Sequence, residues 1–338
     1  MLPLIWWIQM TLIVARKIGN QVIINSDTRL TYPKVDQHDP DPKRIQHHRP
    51  SEGVVKTVNL TPDVNLSFAG DVSVAEKVLS HFPGKIGDRV EFNLNNLIGH
   101  LHYLHIDSGQ ETDFILSIGD AQPSHTKIIA IKDGSVSDVH AAWIGSHDAF
   151  QIYQKTFIEL SDKSKLKERL TQHSSVQIFV AAMPTNDEEL NEVYTRSHFA
   201  MRDVVLGEKV ADVGGFVISS VFNGHSFKYC GYFECYPIGF GRTHVLSKGV
   251  STIPLGSNKE GSFAVSVGGM NIYRLPIYFP HGCFGMIYSR EQSALMEPTP
   301  FYDVTAENFQ EILRSKGMQD NLSIIDFGGE AFTIGINT

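Results

Sequence analysis

Cysteine is scarce in this sequence: three in 338 residues, Cys230, Cys235 and Cys283. Three cannot build a disulfide framework, and neither a CxxC pair nor a His/Cys quartet of zinc spacing occurs. That usage fits a reducing compartment, and the cytoplasm is the expected location. Positive charge is also short, with 29 Lys plus Arg against 37 Asp plus Glu and a formal net charge of −8. No basic surplus is available to neutralise a phosphate backbone, so nucleic acid is not an expected partner. Long hydrophobic runs are missing too. The apolar-rich stretch Leu2–Val14, interrupted by Pro3, Gln9 and Thr11, is shorter than the roughly 20 residues a membrane span requires. It also lacks the charged start and small-residue cleavage site of a secretory signal. There is no GxxxxGK[ST] phosphate loop and no solenoid repeat. What is present, 42% apolar and 20% charged residues, is the composition of a soluble globular chain able to bury a substantial core.

The chain opens on a hairpin. Thr11–Arg16 and Gln21–Asn25 are rich in β-branched residues on either side of a Gly19-Asn20 turn. From 34 to 53 the composition shifts to Asp, Pro, His and Arg without periodicity, which reads as an exposed insertion; His38, His47 and His48 belong to that loop rather than to a metal site. Strands follow at Val54–Val58 and Val64–Ala69, then helices at Val72–Phe82 and Val90–Ile106. The second helix carries His100, His102 and His105, of which at most a pair can converge, because positions two apart do not share a helix face.

Further strands are expected at Phe114–Gly119, Lys127–Lys132 and Val136–Ile144, with Asp133-Gly134 as a hairpin turn. Asp148–Leu160 and Glu188–Val205 have helical spacing. Gly214–Phe222 and Phe227–Glu234 flank Asn223-Gly224, the pair favoured in a type I′ turn. Strand-like stretches surround Gly268-Gly269 and Ile287. The tail carries a helix capped by Thr305 and a last strand, Ser323–Phe327. The order predicts an α+β protein with two sheets sandwiched between helical layers.

Chemistry concentrates near the first hairpin. A threonine hydroxyl becomes a useful nucleophile when a free α-amino group, of pKa about 7.7–8.0, serves as its base and a lysine lowers the cost of the alkoxide. Thr11, Asp27 and Lys56 offer that set. At this point TLIVARKIGNQVIINSDTR resembles the first hairpin of proteasome β-type subunits and their bacterial relatives, the N-terminal nucleophile (Ntn) hydrolases. The family's opening Thr and its Asp-x-Arg fall on Thr11 and on Asp27-Thr28-Arg29. VKTVNLTPDVNLSFAG is similar to the family's segment from catalytic lysine to oxyanion-hole glycine, on Lys56 and Gly70. WIGSHDAF resembles the Gly-Ser turn that brings a supporting serine to the nucleophile, nominating Ser146. ADVGGF resembles the acidic, glycine-rich turn that nominates Asp212, with Val213 where the family has a serine.

The resemblance implies a four-layer αββα sandwich, here spanning 11–290, with 1–10 as a leader and 291–338 as a C-terminal extension packed on the same domain. It implies a threonine-type amide hydrolase, a proteasome-like peptidase acting on a peptide or amide substrate. Thr11 would be the nucleophile, Lys56 and Asp27 its activators, and the Gly70 N–H the oxyanion donor. Ser146 and Asp212 would orient the amine, with Arg29 and Phe68 on the substrate side. It calls for no metal or organic cofactor and no membrane, and implies a homo-oligomer, a ring or spiral. The stretch between Asp27 and Lys56 exceeds the family spacing, and the insertion accounts for the excess.

Residues before Met10 would leave Thr11 inside a peptide bond. Translation from Met10 followed by removal of that methionine is the favoured route to a free amine; autocatalytic cleavage of a propeptide is the second. Two other readings stand beside the peptidase. One is a non-catalytic scaffold that keeps its N-terminal extension, and the other is a small-molecule amidase of the same superfamily.

Overall fold

The computed structural model describes residues 11–28, 55–80, 93–176, 180–181, 187–206, 210, 213–214, 216–237, 262–269, 271–279, 284–290 and 298–318. The insertion 34–53, Arg29, Asp212 and the expected strand Ser323–Phe327 lie outside them. Among the described residues the protein is mixed α+β, with sixteen strands in three antiparallel sheets and six helices. None of those helices is long and apolar enough to cross a membrane.

The first sheet grows from the expected hairpin. β1 (Leu12–Ile18) and β2 (Gln21–Ser26) pair from Ile18↔Gln21 to Ile13↔Ser26. Their two-residue turn has Gly19 at φ +58°, a conformation glycine adopts without steric cost. β8 (Ala141–Gly145), β10 (Ile218–Phe222) and β11 (Phe227–Tyr229) complete the order β11-β10-β2-β1-β8. The second sheet holds β3 (Thr57–Thr61), β4 (Val64–Ala69), β5 (Asp113–Ile118), β6 (Lys127–Lys132) and β7 (Ser135–Val139) in sequence order. Asp133 and Gly134, both at positive φ (+50° and +70°), make the expected tight turn between β6 and β7.

Side-chain alternation gives the first two sheets their partners. Ile13, Ala15, Val22 and Ile24 of the first sheet cluster with Ala69, Ile115, Ile128 and Ala130 of the second. Leu12 and Val14, on the opposite side of β1, meet α3 (His147–Glu159) and α5 (Glu188–Leu206) through Tyr153, Phe157, Ala200 and Met201. On the second sheet Leu66, Phe68, Phe114 and Leu116 join a cluster with α1 (Val72–Leu79) and α2 (Leu94–Asp107). Asp71 and Asn93 cap these two helices with their side-chain oxygens. α4 (Lys163–Val176) lies between α3 and α5 in the chain and touches the core through Leu166.

The third sheet, order β16-β15-β14-β13-β12-β9, was not anticipated. It comprises β9 (Val180–Ala181), β12 (Tyr232–Pro237), β13 (Ser262–Val267), β14 (Arg274–Phe279), β15 (Phe284–Ser289) and β16 (Pro298–Phe301). Leu275, Ile277, Phe279, Phe284, Met286 and Tyr288 share the large cluster with the second sheet. Tyr278 and Ile287 point the other way, onto Phe309 and Leu313 of α6 (Ala306–Ser315). Gly285 makes room for Phe309, since a Cβ there would stand 2.4 Å from the ring. Thr305 caps α6 as expected, its hydroxyl accepting from the Asn308 N–H at 3.2 Å.

The expected run Phe227–Glu234 is two strands rather than one. The break falls at Gly231, where a Cβ would come within 2.7 Å of the Gly269 backbone nitrogen, so the chain passes from the first sheet to the third through a close glycine contact. The turn before it also differs from expectation. Of Asn223 and Gly224 only the glycine has positive φ (+91°), and the loop extends to Ser226. Instead of entering the left-handed region, Asn223 uses its side-chain oxygen to accept from the His225 and Ser226 N–H groups, each at 3.2 Å.

Candidate active site

Thr11 immediately precedes β1, and the antiparallel register of the first hairpin brings Asp27 opposite Leu12. The Asp27 backbone N–H donates to the Leu12 carbonyl at 3.2 Å. In return the Leu12 N–H donates to Asp27 Oδ1 at 3.1 Å. The second carboxylate oxygen accepts from the Gly214 N–H at 3.3 Å. Thr28 ties the same segment down, its N–H donating to the Gly214 carbonyl at 3.3 Å and its hydroxyl accepting from Phe216 N–H at 3.1 Å.

Lys56 arrives from the other sheet, one residue before β3, and is held there by the Phe68 N–H donating to its carbonyl at 3.0 Å. Its ammonium crosses to the first hairpin, where Nζ donates to Asp27 Oδ1 at 3.1 Å and to the Thr11 hydroxyl. Thr11, Lys56 and Asp27 are 4%, 3% and 0% exposed. A lysine and an aspartate so far from water are costly unless paired, and here each charge has its counterpart and further hydrogen bonds. Burial pushes the Asp27 carboxyl above the ordinary value of 3.8, while the Lys56 charge and the Leu12 and Gly214 N–H groups pull it back.

The Thr11 carbonyl is gripped by the end of β8. The Ser146 N–H donates to it at 2.7 Å. Gly145, at φ +97°, lies so close that a Cβ would sit 1.9 Å from the Thr11 oxygen. Ser146 thus reaches Thr11 through its backbone, and its hydroxyl caps α3 by accepting from the Ala149 N–H at 3.3 Å. Gly70 ends β4, the strand paired with β3. It is exposed, with φ +120°, and a Cβ would collide with the Glu111 carbonyl at 2.0 Å. No other residue fits there.

Three of the nominated residues, Thr11, Asp27 and Lys56, are therefore in direct contact, and Ser146 adjoins them through its main chain. Gly70 and Lys56 flank the paired strands β4 and β3 of the second sheet, Gly70 one residue after β4 and Lys56 one before β3. Phe68, expected beside a specificity pocket, is 1% exposed and belongs to the core cluster with Val74 and Val78 of α1. Arg29 and Asp212 fall outside the described residues, but Gly214, two residues after Asp212, donates to Asp27. The contributions of Gly145 and Gly214 were not foreseen. Both lie inside the quoted segments WIGS and VGG, where a glycine beside a nominated residue is the available signal.

Among the described residues no group of three or more His, Cys, Asp or Glu side chains is placed to hold a metal ion. His105 is buried, His102 half-buried and His100 exposed, so the three do not converge. Cys230 is a buried free thiol whose pKa is pushed up to about 12 by burial. A cleft of about 450 Å³ lined by Lys17, Thr126 and His140 lies at the far end of β1, away from Thr11.

In comparisons with known proteins, no family model and no curated protein matches this sequence.

Proposed function

We propose that this chain is a threonine-type N-terminal nucleophile amide hydrolase, a proteasome-like peptidase that works once the Thr11 amine is free. The observation that carries the reading is the buried contact of the Thr11 hydroxyl with Lys56, itself ion-paired to Asp27. Its layers support the corresponding architecture. Helices α3 and α5, the first sheet, the second sheet, and helices α1 and α2 follow one another through the apolar clusters in the order of an αββα sandwich, with the third sheet and α6 as its C-terminal addition.

In this mechanism Thr11 Oγ1 attacks the scissile carbonyl and its proton passes to the α-amino group. The Lys56 ammonium, fixed by Asp27, stabilises oxygen charge as it develops on the threonine. The Gly70 N–H is the donor for the carbonyl oxygen in the tetrahedral intermediate. Collapse of that intermediate expels the amine, which takes the proton from the α-amino group, and leaves an ester on Thr11. Water then attacks the ester, the α-amino group acting as base again, and releases the acid. Gly145 and Ser146 hold the Thr11 carbonyl so that the amine stays in place, and the resemblance gives Asp212 a part in orienting that amine and Arg29 one on the substrate side. Active copies assemble in a ring or spiral.

Peptide and acyl-amide substrates screened against the protein and its Thr11→Ala variant test the reading. The expected loss for the variant is at least about 10⁴-fold in kcat with an unchanged melting temperature. Equal turnover by the two proteins overturns it. Preference for acyl-amides over peptides would make the chain a small-molecule amidase instead.

A further inference from the structure

The histidine that the proposed mechanism leaves unused, His105, sits behind Gly70. It is fully buried on α2, and both ring nitrogens are engaged. The Gly134 N–H of the β6–β7 turn donates to Nε2 at 2.9 Å. Nε2 therefore carries no proton, and Nδ1–H donates to the Thr112 carbonyl at 2.9 Å, with Asp113 Oδ1 at 3.5 Å. Thr112 is also fully buried and has a second bond. Its hydroxyl accepts from the Asp71 N–H at 3.1 Å.

These bonds converge on one peptide. Ala69, before Gly70, is laddered to Asp113 in the β4–β5 register. Asp71, after it, hangs on the Thr112 hydroxyl. Gly70 itself lies against the Glu111 carbonyl, too close for any Cβ. The backbone on both sides of Gly70, and its Cα, are thus set by the three residues 111–113, and the carbonyl of the middle one is fixed by His105. An oxyanion donor works only if its N–H already points to where charge will develop, so whatever fixes that peptide contributes to turnover.

We infer that His105 and Thr112 are positioning residues that aim the Gly70 N–H, a role that rests on the hydrolase reading and adds a residue pair to it. Asp71, which the Thr112 hydroxyl holds, also starts α1, so the same bond fixes where that helix begins.

The test compares two substitutions of His105. His105→Gln keeps an acceptor within reach of Gly134 but brings no donor to Thr112. His105→Asn puts an amide N–H where Nδ1–H stood. Both lower the melting temperature. His105→Gln is expected to reduce kcat about tenfold with KM within about twofold, while His105→Asn restores kcat to within about twofold of the parent. The Gly70 amide resonance moves in the first variant and stays in the second. Equal kcat in the two variants with an unmoved Gly70 resonance overturns the inference, as does a kcat that follows only the melting temperature. If Thr11→Ala hydrolyses like the parent, the hydrolase reading fails by itself, and the Gly70 resonance alone then decides whether His105 positions that peptide.

Discussion

The Thr11 corner and the third sheet are both buried, but they are held together by different forces. Around Thr11 the interior contains an ion pair, a shared hydroxyl and three N–H groups aimed at one carboxylate or carbonyl. Its polar character continues inward, where Thr57 and Ser67 hydroxyls meet at 3.1 Å and the Asn59 side chain accepts from both Asn65 and Ser220 at 2.8 Å. The junction of the third sheet with α6 is aromatic instead. Tyr278 stacks on Phe309 at 5.3 Å between centroids, and Phe301 meets the same ring edge-on at 5.9 Å. Burying charge costs desolvation that pairing and hydrogen bonds at best offset, whereas burying aromatic surface strengthens a fold. On the proposed reading the first region serves chemistry, while the aromatic junction of the second serves stability.

Substitutions in each region should separate stability from turnover. Phe309→Ala, which empties the α6 junction, is expected to cost about 3–5 kcal/mol in denaturant titration, with kcat of the remaining folded protein unchanged. A large fall in kcat at full folding would join the two regions.

Lys56→Met should cost about 3 kcal/mol by leaving Asp27 buried without its cation, and should abolish turnover. Adding Asp27→Asn to it should recover most of the stability and none of the activity. Stability restored by the second change without activity is the mark of a charge pair kept for chemistry.

The pH dependence of Asp27 splits the same way. Its folded-state pKa is raised above 3.8, so its contribution to stability is full below that value and is lost as pH rises through the folded value. The stability difference between Asp27→Asn and the parent should therefore shift in favour of the variant across that window. Turnover has the opposite sign: it falls as the pH drops through the raised value and the carboxyl that anchors Lys56 is neutralised. Rate profiles and denaturant titrations over the same pH range check both.

The smallest effect concerns Ser146. Loss of the α3 cap in Ser146→Ala should cost about 1 kcal/mol in a thermal melt, while the bond to the Thr11 carbonyl survives because the backbone makes it.

Much of the Thr11 corner was legible in the sequence because its determinants are local. Alternating β-branched residues around Gly19-Asn20 set the hairpin register, and the register alone brings Asp27 opposite Leu12. Lys56 and Gly70 bracket one hairpin, β3–β4, so their spacing survives folding. The third sheet was legible only in part: the strand-like stretches around Gly268-Gly269 and Ile287 fall on β13, β14 and β15, but short apolar runs carry no mark of which sheet they join, so a separate sheet could not be read from them. Helix α4 escaped notice because Lys163–Val176 is mostly polar and its one described core contact is Leu166. His105 could not be singled out from its neighbours, because what distinguishes it is the backbone of residues 112 and 134, which only the fold brings to its ring.

The proposed hydrolase depends on Thr11 acting as a nucleophile with a free amine. Peptide mapping by mass spectrometry after treating the hydrolytically competent protein with an acylating β-lactone tests it most directly. The expected N-terminal peptide begins at Thr11 and carries the acyl group on that residue, with no adduct in Thr11→Ala. An active protein in which Met10 remains joined to Thr11, and in which the label falls elsewhere, would contradict it.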